Sequence, residues 1–532
     1  MTQLQKDAAL FETAPPPHDS LGLLDYLMVG AYLLITIGIV WFSSRGQKDN
    51  EDFFLGGRRL PWFAVGLSIM ATLLSTISYL GIPGEVIKHG VAILWMYLAF
   101  PLSMMVVIPF FIPFFMRLKM TSAYEYLEHR FDYRARLLAS VLFFWLRLGW
   151  IAMVMYAGSM AISRMTDQDL YTVVAVMGIA ATAYACFGGM TAVVWTDVLQ
   201  AVMLLGGAAV IVVYVWATTG AGPSDWWEVV AKHSQGHTSP PIFSFDPRER
   251  TVIMWVVING FFWQICTHAS DQVVLQRYFA TTSLKAARNS YIVNMSTALL
   301  VGILLGLAGF ALLFFYQQHP SYLKQGLSPS KGDEIMPYFY AHQLPLGCGG
   351  LVLANFLCDA MQTLVSGVNS IAAVVTDDLL GRMKQRPRTE SEKLATTRRL
   401  TLGLGLLATC VALLISWLSQ HSGKNIIDLM PRTFNMFLGP LASLFLVGMF
   451  NARATGRSAF AGVLVAMTAS VSWSYFGQLS RTGIDLSPQW AIVVPCLSGV
   501  LTAFVASRVF DRDVEHPGRA FSWWNVMRRS ET

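Results

Sequence analysis

Charge is scarce in this chain. Only 13% of its 532 residues are Asp, Glu, Lys or Arg, where a soluble protein carries roughly a quarter. Hydrophobic residues make up 54% and the mean hydropathy is +0.50. A string of soluble domains is excluded, and a polytopic membrane protein follows. Cysteine is scarce too. Cys186, Cys266, Cys348, Cys358, Cys410 and Cys496 include no C-x-x-C pair, and all lie within or at the ends of apolar runs. They read as small buried apolar residues, not as disulfides or metal ligands. Zinc-finger spacing and basic tracts interleaved with aromatics are missing, so the net charge of +6 does not point to nucleic acid. His89, His268 and His342 are isolated and no nucleophile motif is present, which leaves a membrane enzyme without a site. The N-terminal "MTQLQKDAALFETAPPPHDS" lacks the basic n-region of a signal peptide. Residues 1–20 are expected to be a disordered tail. Residues 511–532 are expected to be a cytoplasmic tail, too short for a signalling domain.

What is present is a series of apolar runs. A membrane span needs about 20 mainly apolar residues. Thirteen stretches qualify: 21–42, 62–88, 92–116, 136–163, 168–187, 191–217, 251–279, 287–316, 345–380, 397–419, 428–450, 456–477 and 488–510. The expected fold class is an all-α integral membrane protein, one transmembrane domain over 21–510. Two longer loops, 218–250 and 317–344, hold Gly, Pro, Ser and mixed charge. Lys and Arg concentrate in alternate loops: Arg45, Lys48, Arg58 and Arg59; Arg117, Lys119, Arg130, Arg134 and Arg136; Lys285 and Arg288; "GRMKQRPRTESEKLATTRR"; Arg453 and Arg457; and the C-terminal tail. The opposite loops hold isolated residues such as Lys232, Lys324 and Arg481. Cytoplasmic loops carry the excess of basic residues. This places the N-terminus outside and the C-terminus in the cytoplasm of a cell membrane.

The second stretch contains "STISYLGIPGEVIKHG", residues 75–90. Pro83 removes a backbone donor, and Gly81 and Gly84 permit unusual dihedrals. A local break is expected at Gly81–Gly84, with a simple proline kink as the alternative. Unwound backbone cannot face lipid, so a break lines a cavity or packs in protein. The seventh stretch is polar in its middle: Thr267, His268, Ser270, Asp271 and Gln272. Two interrupted helices at matching places in two halves mark a transporter site at the repeat interface.

Ionisable residues inside spans are costly and usually functional. Six stand out: Arg147, Asp197, Asp271, Asp359, Asp428 and Arg432. The alternative for each is an internal salt bridge or an interfacial group. In the ninth stretch Asp359, Gln362, Thr363 and Ser366 fall at i, i+3, i+4 and i+7, on one helical face. A stripe of oxygens suits a hard cation; a hydrogen-bonded helix contact is the competing explanation.

The stretches "DFFLGGRRLPWFAVGLSIMAT", "GGMTAVVWTDVLQAVM", "DQVVLQRYFA", "NSIAAVVTDDLL" and "GPLASLFLVGMF" resemble, in order, the sodium:solute symporter family. The resemblance covers roughly residues 20 to 450. It implies a secondary active transporter working by alternating access, with a LeuT-type fold. The two five-helix inverted repeats would lie at about 62–217 and 251–450, with one extra helix before them and two after. It implies Na⁺ as the co-transported ion, a small solute as substrate, the lipid bilayer as setting and no organic cofactor. A sodium site would use carbonyls of Ala71 and Leu74 with Asp359, Gln362 and Thr363. Family members usually carry Ala or similar, Ser, and Ser or Thr at the last three, so only Thr363 keeps its type. That departure keeps H⁺ coupling at Asp359 open. A second sodium site of some members would fall on Asp197, Thr363 and Ser366. The solute site would include Ser75, Ser78, Tyr79, His268 and Asp271. Sugar-transporting members usually carry an amide where Asp271 stands, which counts against a sugar; vitamins remain open.

Arg147 lies about eleven residues into the fourth stretch, ~16 Å along its axis at about 1.5 Å per residue. That is the depth of the two breaks. Its planar fork suits a carboxylate. The expectation is a carboxylate-bearing solute docked on Arg147, with Asp271 as an internal partner the competing outcome.

Overall fold

The computed structural model describes residues 17–18, 20–44, 55–118, 120, 122–184, 190–233, 240–324, 326–328, 331–375, 390–422, 426–511 and 517–528. Residues 1–16 and 19 of the expected tail 1–20, Cys186 and most of the basic run after 380 lie outside the described residues.

The described residues are overwhelmingly helical. The helices are α1 (Leu23–Ser44), α2 (Trp62–Leu73), α3 (Thr76–His89), α4 (Val91–Leu118), α5 (Ala123–Arg130), α6 (Tyr133–Thr166), α7 (Leu170–Tyr184), α8 (Met190–Thr219), α9 (Pro223–His233), α10 (Ile253–Ser270), α11 (Gln272–Phe279), α12 (Leu284–Gln318), α13 (Gly332–His342), α14 (Cys348–Val374), α15 (Glu390–Ser422), α16 (Ile426–Thr433), α17 (Asn435–Phe450), α18 (Gly456–Ser474) and α19 (Val493–Phe510). Each of the thirteen expected stretches holds a helix or a pair of half-helices. Among the described residues eight helices are long and apolar enough to cross a membrane, or ten if each strongly bent pair is one span. The count of thirteen rests on the sequence pattern.

The chain departs from expectation in three places. First, α3 runs unbroken through Pro83. The break lies earlier, at Leu74 (φ −100°, ψ 63°) and Ser75 (φ −79°, ψ −176°), where α2 and α3 meet at 58°. The glycines serve packing instead. A Cβ on Gly84 would stand 2.7 Å from the backbone nitrogen of Asp333, so only glycine lets α3 approach the start of α13. Pro83 packs beside Gly309 of α12, and Gly81 faces Ile426 and Ile427 of α16 without crowding. Second, α16 and α17 meet at 49°, so the eleventh stretch is also broken. Third, the loops 218–250 and 317–344 contain helices α9 and α13. Helix α13 begins with Asp333 and Glu334, favourable at a helix N-terminus. It buries Ile335, Met336, Phe339 and Tyr340.

The expected break in the seventh stretch is present. Helices α10 and α11 part at Asp271 (φ −81°, ψ 113°). Helix α2 packs on α8 and α12, α3 on α12 and α13, and α6 on α14. Helix α3 also touches α6 and α14, and α11 touches α14, while Asp271 pairs with Arg147 of α6, so both breaks lie against α6 and α14.

Candidate ion and solute site

Two cavities meet at the centre. The larger is a chamber of ≈ 130 Å³. Its walls come from α2 (Met70, Leu73), Leu74 at the break, α3 (Ile77, Ser78, Ile82), Phe100 of α4, Trp150 of α6 and Met295 of α12. Five amides join them: Asn259, Gln264, Asn294, Asn435 and Gln489. Among the described residues no charged side chain lines it. Asn259 donates to Gln489 Oε1 at 3.1 Å. Asn259 Oδ1, Gln264 Oε1, Asn294 Nδ2 and Asn435 Oδ1 are buried without a protein partner. Buried polar atoms are normally hydrogen-bonded. The chamber therefore offers an apolar body-fitting surface with unused amide donors and acceptors.

The smaller cavity, ≈ 10 Å³, is about the size that holds one water. It lies behind Trp150, which lines both spaces. Ala71 and Thr72 reach it from the end of α2, where the last carbonyls lack intrahelical partners. Asp359, Gln362, Thr363 and Ser366 line it from α14, Asp197 and Gln200 from α8, and Arg147 from α6. Leu74 lies on the chamber side.

Asp359 is 1% exposed. Its Oδ2 accepts from the backbone N–H of Thr76 at 2.7 Å and from the Thr76 hydroxyl. Its Oδ1 accepts from Gln200 Nε2. The carboxylate thus caps the first turn of α3 from another helix. Both polar atoms of Gln362 are buried without a protein partner. Asp197, expected as a cation ligand, is held by a cation already present in the fold. Arg277 of α11 reaches its Oδ2 at 3.0 Å, and the Ser68 hydroxyl donates to the same oxygen at 2.5 Å. Arg277 also donates to Ser68 Oγ (2.8 Å) and the Val273 carbonyl (3.0 Å).

Arg147 forms a salt bridge with Asp271, both almost fully buried, and its guanidinium stands 5.5 Å over the Trp150 ring. The internal pair is the outcome in this structure. Asp271 also caps α11, accepting from Val273 N at 3.0 Å. Arg147 Nε has no protein partner.

Of the residues expected to contact solute, Ser78 lines the chamber. Ser75 sits at the break with its hydroxyl buried and unpartnered. Tyr79 points away, bonded to Tyr340 of α13 at 2.6 Å. His268 is likewise outside the chamber, its Nδ1 paired with Tyr278 at 2.7 Å. Sequence reasoning missed Ser68, Thr76, Gln200, Arg277 and the five amides. A signal existed for Gln200, which lies one turn from Asp197 on the same face of α8. Arg277 stands inside the quoted stretch "DQVVLQRYFA".

One end of the chamber is roofed by Ile427, Met430 and Pro431 of α16. Beyond them lies a second open space of ≈ 220 Å³, lined by Arg248, Arg250, Asp428, Arg432, Trp473 and Asp485. Arg250 Nη2 reaches both oxygens of buried Glu85 on α3 at 2.8 Å, and Nη1 pairs with Asp428 on α16. Arg432 pairs with Asp485 at 2.5 Å. Asp428 and Arg432 are thus ion-paired at the roof.

The comparisons with known proteins agree with this architecture. A model of the sodium:solute symporter family matches residues 53–466. The sodium/sialic acid symporter SiaT of Proteus mirabilis is 30% identical, over 93% of this chain and 96% of that protein. The sodium/sialic acid symporter NanT of Aliivibrio fischeri is 31% identical, over 93% and 95%. Sodium-coupled monocarboxylate transporter 1 of Xenopus laevis is 31% identical, over 84% and 71%. A solved outward-open, substrate-bound Na⁺-coupled sialic acid symporter superposes with a TM-score of 0.80 at 28% identity, covering 92% of this chain and 98% of that one. The inward-facing transporter Mhp1 shares the fold alone, with a TM-score of 0.53 at 12% identity. With two broken helices framing a central cavity and a family match over most of its length, the chain belongs to the sodium:solute symporter family: a multi-pass membrane protein whose activity is sodium-driven symport of a small solute.

Proposed function

We propose that the transported solute is a small organic anion whose body occupies the amide-lined chamber and whose carboxylate is drawn toward Arg147. One observation carries this reading: Trp150 is the shared wall between the chamber and Arg147, and the Arg147 Nε is unused. A carboxylate passing Trp150 would meet a guanidinium suited to grip it in parallel hydrogen bonds, sharing it with Asp271. Relatives named for sialic acid and for monocarboxylates support the charge assignment. The sodium ion would sit in the small cavity, on Asp359, Gln362, Thr363, Ser366 and the carbonyl end of α2. The basic loops face the cytoplasm, so the N-terminus and the Arg250 face lie outside. The two five-helix repeats would be 62–217 and 251–450.

An uncharged solute is the second reading. It is favoured by the chamber lining, which is neutral among the described residues. A thermal-shift screen of the purified protein separates the two. Organic acids, sugars, vitamins and amino acids are each tested in Na⁺ and in K⁺, since a ligand of the native state raises stability by mass action. An acid that stabilises only with Na⁺, and not in Arg147→Lys, is the expected result. Stabilisation by neutral compounds alone would reject the anion. For orientation, Cys placed at exposed Lys232 of α9 (Lys232→Cys) should label with a membrane-impermeant maleimide on intact cells; labelling only after permeabilisation would invert the topology.

A further inference from the structure

From the pairing of the buried charges we infer that the protein binds a single Na⁺ per cycle, with Asp359 as its only carboxylate ligand and Asp197 excluded as a second site. The inference rests on the sodium-symport reading and deepens it.

Five ionisable side chains meet at the breaks, each no more than 4% exposed: Arg147, Asp197, Asp271, Arg277 and Asp359. They form two closed pairs and one remainder. Arg147 neutralises Asp271, and Arg277 neutralises Asp197. Among the described residues no guanidinium reaches Asp359. Its hydrogen-bond partners are the Thr76 N–H, the Thr76 hydroxyl and the Gln200 amide, all neutral donors. A buried, uncompensated carboxylate is strongly unfavourable. One monovalent cation cancels it.

The ligand geometry points the same way. The cavity beside Asp359 is about large enough for one water-sized occupant. Gln362, 7% exposed and lining that cavity, has an amide oxygen with no protein partner. Thr363, Ser366 and the carbonyl end of α2 add neutral oxygens, the ligand type hard cations prefer. At Asp197 the charge is already met and one oxygen is taken. A guanidinium and a hydroxyl share its Oδ2, and the same guanidinium is tied to Ser68 and Val273. A Na⁺ on that oxygen would have to displace a buried arginine with three anchors. One Na⁺ per monovalent anion also makes the uptake step electroneutral, so the membrane potential neither drives nor opposes it.

The test needs no solute. Binding of ²²Na⁺ to the purified full-length protein is measured in detergent for wild type, Asp359→Ala, Asp359→Asn and the double variant Asp197→Asn with Arg277→Gln. Wild type should bind one ion per chain with a Hill coefficient of 1. Both Asp359 variants should lose at least about tenfold in Na⁺ affinity. Asp359→Asn keeps a carbonyl oxygen for Thr76, so it answers the question should Asp359→Ala not fold. The double variant removes the second pair as a neutral unit and should still bind one ion. Two ions per chain, a Hill coefficient near 2, or unchanged Na⁺ binding in Asp359→Asn would overturn the inference. Two ions would leave sodium symport standing, whereas no Na⁺ binding by wild type would sink both.

Discussion

The breaks at Asp271 and at Leu74–Ser75 are capped in opposite ways. At Asp271 the cap is local: the carboxylate accepts from Val273 N two residues on. At Leu74–Ser75 it comes from 283 positions away, where Asp359 of α14 takes the Thr76 N–H. The first break is complete within its own segment and needs Arg147 only to neutralise its carboxylate. The second is capped by a side chain of α14. A free helix N-terminus carries partial positive charge and unpaired N–H groups, so a carboxylate there stabilises the break. The same carboxylate faces the proposed sodium cavity. The α2–α3 break is therefore the one positioned to feel the ion: a Na⁺ that binds Asp359 changes the cap of α3 and so the relative stability of its conformers. A ligand shifts an equilibrium only through such differential affinity.

The comparison breaks most readily at Asp359. Asp359→Ala removes the distant cap and the ion's carboxylate together. Na⁺-driven uptake into proteoliposomes should fall by roughly 10–100-fold or more, measured as initial rate at fixed solute. Uptake at the wild-type rate would mean that the α2–α3 break is neither capped nor sensed by α14.

Arg147→Gln tests the local break. It leaves Asp271 buried without its guanidinium, and breaking such a pair costs about 3–5 kcal/mol. A clear fall in the thermal midpoint is expected. Adding Asp271→Asn should recover most of it, because an amide oxygen can still accept from Val273 N. If the double variant is no more stable than the single one, the salt bridge is not what Arg147 supplies to the fold.

Gly84→Ala sharpens the point about where the break lies. The new Cβ would press on the Asp333 backbone, and overpacking of this kind costs about 1–3 kcal/mol. Gly81→Ala meets only ordinary contacts at 3.4 Å or more and should be tolerated. Were Gly81 and Gly84 hinges, both substitutions would slow transport while leaving the thermal midpoint unchanged.

The same contrast explains what was legible in the sequence. The Asp271 break could be read because its polar residues are neighbours in the chain. The helical spans and the α14 stripe could be read because period and hydropathy are local properties. The α2–α3 break was misplaced to Gly81–Gly84, since proline and glycine are the local signals of disruption while the actual cap is on α14. Asp197 was found, but its partner Arg277 is 80 positions away, so its neutralisation was invisible. The chamber amides come from α10, α12, α17 and the segment before α19, and no single stretch displays them as a group. One local signal was available and unused: Ser75 is a favoured N-cap residue, and it stands at the true start of α3.

That signal leads to the smallest expected effect. Replacing an N-cap serine by alanine usually costs ~1 kcal/mol, because the hydroxyl accepts from a free N–H of the first turn. Ser75 makes no such bond. Its hydroxyl is fully buried and has no protein partner, while Asp359 already takes the Thr76 N–H. Alanine would therefore remove a buried, unsatisfied hydroxyl rather than a cap, and such a group carries a desolvation penalty of its own. Ser75→Ala should change stability by less than about 0.5 kcal/mol, and the sign should turn destabilising only when Asp359 is also replaced. Thermal unfolding of the four proteins in this double-mutant cycle gives the coupling directly. A full N-cap loss in the Asp359 wild-type background would show that Ser75, not the distant carboxylate, holds the start of α3, and the distinction between the two breaks would fall.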